Sequence, residues 1–152
     1  MLALVEASSL QGLPDWARLM LNEARVARLG LIDDLGRPRV LPVTFTAFEE
    51  RLYSAIDQKP KRVAGADVAR VRYLRRRPEA TLTVDHYDDD WSALAWVQAL
   101  CRAQIVEPDA RPAALDALKA KYRPYRLSPP HGPLIELIPE RILYWTAAPP
   151  AQ

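Results

Sequence analysis

The sequence predicts a mainly β, α+β domain: a small antiparallel barrel of about six strands with three or four helices packed outside it. Three observations lead there. Three short β-compatible runs follow one another through tight turns between residues 26 and 56, which makes a meander and not a doubly wound sheet. Further β-compatible runs recur at 80–87, 93–107 and 134–147. Helical spacing of apolar residues is confined to a few segments between them.

Taken in order, "LPDWARLMLNEAR" (13–25) reads as a helix, with Pro14 and Asp15 suited to a first turn and Trp16, Leu19, Met20 and Ala24 as its apolar stripe. "VARLGLI" (26–32) is a strand, and "DDLGRP" (33–38) is a turn built on Asp and Gly. "RVLPVTFTAF" (39–48) is a strand in which Pro42 implies an edge, a bulge or a missing ladder bond. "EER" turns the chain into a third strand, 51–56. Residues 66–77 form a helix that stops at Pro78, with Val68, Val71 and Leu74 as its apolar stripe and arginines on the other face. A strand over 80–87 and a loop "DDDW" (88–91) lead to 93–107, an ambiguous run read as a strand because it ends in Ile105 and Val106. A helix over 112–123 and a proline-rich loop over 123–133 precede 134–147, either a strand pair or one strand bulged at Pro139.

At 152 residues, with 49% apolar side chains, the chain is sized for a single domain, 1–152, with a core over about 14–146. It has no run of about 20 apolar residues, so no membrane partner is expected. Neither a leader pattern nor a second cysteine beside Cys101 is seen, and a cytoplasmic protein is the expectation. The motifs of Rossmann and P-loop phosphate sites, zinc proteases and α/β-hydrolases are missing. His86 and His131 are the two histidines, and neither has an evident catalytic partner. "DHYDDDW" (85–91) lacks calcium-loop spacing and reads as a polar loop, so no metal is expected.

The net charge of +2 hides an asymmetry. Residues 59–77 carry eight cations and one acid, Asp67, a local +7 that leaves −5 for the rest. Such a field implies an anionic partner. Nucleic acid is the weaker reading, because the charge is confined to one helix and one loop. "AIDQKPKR" (55–62) places Lys59, Lys61 and Arg62 after a strand, around the stiff Pro60. That arrangement suits either a solvated loop or a phosphate grip made of charge-assisted hydrogen bonds.

The order of these segments, with "GRPRVLPV", "DQKPKR" and "VDHYDDDWSAL" as the markers, resembles the pyridoxamine 5′-phosphate oxidase-like split β-barrel proteins. Within them it is most similar to the small oxidoreductases that use the deazaflavin coenzyme F420 in place of FMN. The resemblance implies a six-stranded split β-barrel and a homodimer holding two cofactors between its subunits. It implies that Leu41, Pro42, Val43 and Thr44 lie against the ring system through their backbone. Ser54, Ala55, Ile56, Asp57, Lys59, Lys61 and Arg62 are then to hold the ring edge and the phosphate. Trp91, Trp96 and Tyr125 are candidates for the partner subunit's contribution. It further implies hydride transfer with a small planar substrate, and no catalytic side chain, because the cofactor carries the chemistry. The alternatives are FMN as cofactor, or a protein that binds its cofactor without turnover. One departure stands out: the family's polar hairpin after Trp96 is replaced by "VQALCRAQIV", which has neither Gly nor Asp.

Overall fold

A computed structural model describes residues 5–56 and 68–148. The elements run β1 (Val5–Ala7), α1 (Asp15–Glu23), β2 (Ala27–Ile32), β3 (Pro38–Val43), β4 (Thr46–Phe48) and β5 (Arg51–Ala55), then α2 (Ala69–Arg76), β6 (Glu79–His86), β7 (Ala95–Val106), α3 (Pro112–Lys121), α4 (Arg123–Leu127) and β8 (Leu134–Thr146). One antiparallel sheet contains all eight strands in the order β3-β2-β6-β7-β8-β5-β4, with β1 also paired to β8. This is the expected split barrel. Two strands beyond the expected six arise from β1 and from a break in the run 39–48.

Alternation builds the barrel interior. On β2, Ala27, Leu29 and Leu31 are buried, while Arg28 faces out. Leu82 and Val84 of β6, Val97 and Ala99 of β7, and Leu137 and Ile142 of β8 complete the same cluster. Helix α2 closes onto it with Val71 and Leu74, both from the expected stripe. On α1 the buried face is Ala17 and Leu21, and Leu19 is 54% exposed. The expected stripe was therefore right for Trp16, Met20 and Ala24, which pack on the core, and wrong for Leu19.

Within the run 93–107, residues 95–106 form one continuous strand, so "VQALCRAQIV" makes no hairpin. Residues 134–146 are likewise one strand, with a bulge where Cys101 pairs with Pro139 and Leu100 with Arg141, leaving Glu140 as the extra residue. The loop expected over 123–133 begins instead with α4. Pro124 sits in its first turn, where a missing N–H costs nothing. Cys101 is buried, and burial, with Glu140 adding to it, pushes its thiol up to about 12. It is an inert packing residue.

A second layer covers the outside of β5 and β8. Ala114 and Leu118 of α3 pack there with Tyr53, Ala55, Leu134, Tyr122 and Tyr125. Within this layer Glu136 is fully buried. It accepts hydrogen bonds from Arg111 Nε at 2.6 Å, Arg51 at 2.8 Å and the Tyr53 hydroxyl at 2.9 Å.

The turn between β4 and β5 is strained. Glu49 and Glu50 have φ of 45° and 66°, the left-handed pair of a two-residue hairpin that favours Asn-Gly. Glu49→Asn/Glu50→Gly is expected to stabilise the chain by about 1 kcal/mol, after losing the Glu50 acceptor for Gln11 N–H. Thermal unfolding should shift up by roughly 2–4 °C. A lower midpoint would show that the acids do more at this turn than endure it.

Candidate functional site

Three of the candidate residues, Thr44, Ser54 and Tyr125, meet at the break between β3 and β4. "VTFT" is strongly β-favouring, yet Thr44 and Phe45 leave the ladder, which runs through Val43 on β3 and resumes at Thr46 on β4. Side chains replace the missing bonds. The Ser54 hydroxyl donates to Thr44 O at 2.7 Å. Thr44 Oγ1 and the Tyr125 hydroxyl are 2.6 Å apart. The Phe45 N–H donates to the Tyr122 hydroxyl at 3.0 Å, and that hydroxyl lies 2.9 Å from Arg25 O and 3.0 Å from Phe45 O. The Phe45 ring is fully buried beneath the Lys121 ammonium, 4.0 Å from its centroid. Burial pushes that ammonium down to about 8, helped by the charge of Arg25, while the ring face favours its charged form.

Among the described residues the break leaves two open backbone edges. Among the described residues β3 is the end strand of the sheet and pairs with β2 alone, so Pro42 sits on an edge, where its missing N–H is tolerated. β4 pairs with β5 only as far as Tyr53, so from Ser54 onward β5 has a ladder on the β8 side alone. Edges of this kind present unpaired N–H and C=O groups. A ring system can meet them without help from side chains.

The structure places the expected residues unevenly around this opening. Pro42 is exposed, Leu41 and Thr44 are half-buried and Val43 is buried. Ser54, Ala55 and Ile56 are buried at 1%, 2% and 3%, so they offer a ligand backbone rather than side chains. Asp57, Lys59, Lys61 and Arg62 lie outside the described residues. Trp91 is 70% exposed. Trp96 stands opposite Trp145 and Asp85 on β7, with β6 and β2 between it and β3. Tyr125, expected to serve the other subunit, is 7% exposed, with its hydroxyl engaged by Thr44 of its own chain.

Two features escaped sequence reasoning. Tyr122 is the first. The spacing "KYRPYR", with tyrosines three apart at a helix end, was its only signal. The second is the burial at Arg70, expected only as one cation of the basic helix: in the first turn of α2 its Nε is buried with no hydrogen-bond partner among the described residues. An orphaned guanidinium donor suits an anion. The acids of "DHYDDDW" are occupied locally, Asp88 accepting from Asp90 N–H, Asp89 from the Tyr87 hydroxyl, and Asp90 from Ser92. Among the described residues no three His, Cys, Asp or Glu side chains are grouped to hold a metal ion. No helix there is long and apolar enough to cross a membrane.

The sequence profile of the pyridoxamine 5′-phosphate oxidase family matches residues 15–136, and the chain belongs to that family. Among curated proteins no sequence matches it. Solved structures share the fold at low identity. A conserved hypothetical protein from Mycobacterium tuberculosis superposes with a TM-score of 0.70 at 16% identity, over 92% of both chains. An FAD-binding protein from Mesorhizobium loti gives 0.61 at 17%, over 94% of this chain and 97% of its own. An F420 reductase gives 0.61 at 15%, over 86% and 98%.

Proposed function

We propose that the chain is an oxidoreductase that uses coenzyme F420 for hydride transfer with a small planar substrate, on a homodimer that holds two coenzymes. The observation that carries the reading is the strand break, whose open backbone edges at 41–44 and 54–56 lie at the start of the segment bearing Lys59, Lys61 and Arg62. Backbone groups there would meet the ring edge, and the cations would meet the phosphate. When bound, the coenzyme supplies the hydride chemistry. The chain's own part is to orient the ring and keep one face open to the substrate.

Coenzyme F420 is preferred to FMN because of surplus charge. Arg72, Arg75 and Arg76 lie exposed on α2, and Arg76 is 3.7 Å from Asp34. They suit the anionic tail that coenzyme F420 carries beyond its phosphate and FMN lacks. The homodimer is supported by apolar and aromatic groups on the outer sheet face: Val40 is 67% exposed, and Trp96, Leu100, Leu143 and Trp145 are only half-buried.

A fluorescence titration against both cofactors is expected to show tighter binding of coenzyme F420, one per chain on a species of twice 17.2 kDa by sedimentation. Arg72→Glu/Arg75→Glu should weaken coenzyme F420 severalfold at low salt and leave FMN unchanged. Equal affinities in both proteins would return FMN to first place. Binding without turnover of reduced coenzyme by any acceptor would make the chain a carrier.

A further inference from the structure

We infer that Tyr125, on the α3–α4 corner, is a positioning residue for the coenzyme: its hydroxyl fixes Thr44 and so sets the backbone edge on which the ring rests. This deepens the proposed function and rests on it.

A strand end held by its ladder needs no further support. The end of β3 has no ladder at Thr44 and Phe45, and each of these residues is tied instead to a tyrosine from one corner of the fold. That corner has little freedom. Leu118 is fully buried against the outer layer, Tyr122 is 6% exposed, and Pro124 sets the first turn of α4. The two tyrosine rings meet edge to face with centroids 5.5 Å apart. Arg25 adds a lock, stacking 4.6 Å above the Tyr122 ring and donating to Lys121 O at 2.8 Å. A hydroxyl carried by so fixed a ring defines a point in space. The Thr44 side chain is held to that point, while its carbonyl is held from the opposite side by Ser54. Backbone orientation at Thr44 is thus set between a helix corner and β5. Tyr122 has the heavier structural duty, since its hydroxyl serves the buried backbone of Phe45. Tyr125 bonds a side chain there, so removing its hydroxyl disturbs alignment before it disturbs folding.

The test uses the full chain with Tyr125→Phe, Thr44→Val and both together, titrated with coenzyme F420 and FMN and melted in parallel. Each single change should keep the fold and weaken the bound coenzyme about three- to tenfold, the worth of one neutral hydrogen bond. The double variant should bind no more weakly than either single one, because both changes break the same bond. A lowered melting temperature with unchanged affinity in Tyr125→Phe would make the tyrosine a packing residue and overturn the inference, as would additive losses in the double variant. If the native chain binds neither cofactor, the proposed function falls and the inference with it. If the native chain binds and all variants bind equally well, only the inference falls.

Discussion

Glu136→Ala is expected to cost about 2–4 kcal/mol of folding stability. Removing one member of a buried ion pair typically costs about 3–5 kcal/mol, because its partners are left charged and unpaired. The lower range applies because the side chains of Arg51 and Arg111 are 39% and 33% exposed and can recover some hydration. Tyr53 cannot recover it as easily, being 4% exposed. At 2–4 °C per kcal/mol, the melting temperature should fall by roughly 4–16 °C.

The same carboxylate gives the fold an acid limit. Burial alone would raise the pKa of Glu136, but hydrogen bonds from Arg111 and Tyr53 and the charges of Arg51 and Arg111 hold it below its ordinary 4.5. A group whose folded pKa is depressed stabilises fully above its unfolded value and loses that contribution as pH falls through the folded one. Glu136→Gln should therefore be less stable at neutral pH, and its stability should fall less steeply below pH 4.5. Parallel urea midpoints of the two proteins from pH 7 down to pH 3 check the sign. Curves that stay equally spaced throughout would remove Glu136 from the acid transition.

Lys59→Ala/Lys61→Ala/Arg62→Ala is expected to weaken coenzyme binding at least about a hundredfold. Hydrogen bonds to charged groups are each worth about 1.5–3 kcal/mol net, and even two lost contacts reach that factor. The three cations fall within four residues, around Pro60. The native chain should also lose affinity as salt is raised, and the variant should lose less, because the charges that salt screens are gone. Stability should barely move. Unchanged affinity would make "AIDQKPKR" a solvated loop and move the phosphate elsewhere, with half-buried Arg70, whose Nε has no partner among the described residues, the next place to look.

Much of the fold was written in local periodicity. The stripe Val68, Val71 and Leu74 and the alternation of 27–32 each settle an element without reference to distant residues. What escaped depends on partners far along the chain. "VTFT" gives no local reason to break, and its break is held by Tyr122, which lies 77 residues beyond Phe45. Helix α4 hid behind Pro124, which ends most helices and here begins one. The hairpin at Glu49 and Glu50 was placed correctly, but its left-handed geometry carries neither Asn nor Gly to announce it. The site divided the same way. A candidate position at the end of the third strand could be proposed from strand order and charge, whereas the burial of Ala55 under the second layer and of Ile56 in the barrel core depends on distant partners.

The central place of β8 bears on how the chain is made. The strand joins the β3-β2-β6-β7 part of the sheet to the β5-β4 hairpin, and it also receives β1, with Val5 opposite Tyr144. A chain emerging from the ribosome can form the β2–β3 hairpin early, because that pairing is local. It cannot seat β5 or β1 until residues 134–146 have been synthesised. Until then the apolar face of β5 has no strand to lie beside except the three residues of β4. Pairings this distant in sequence close slowly, and waiting edges are sites for wrong association. The last of the described strands in chain order is thus the keystone of the sheet, and a chain stalled before it is a candidate for chaperone capture.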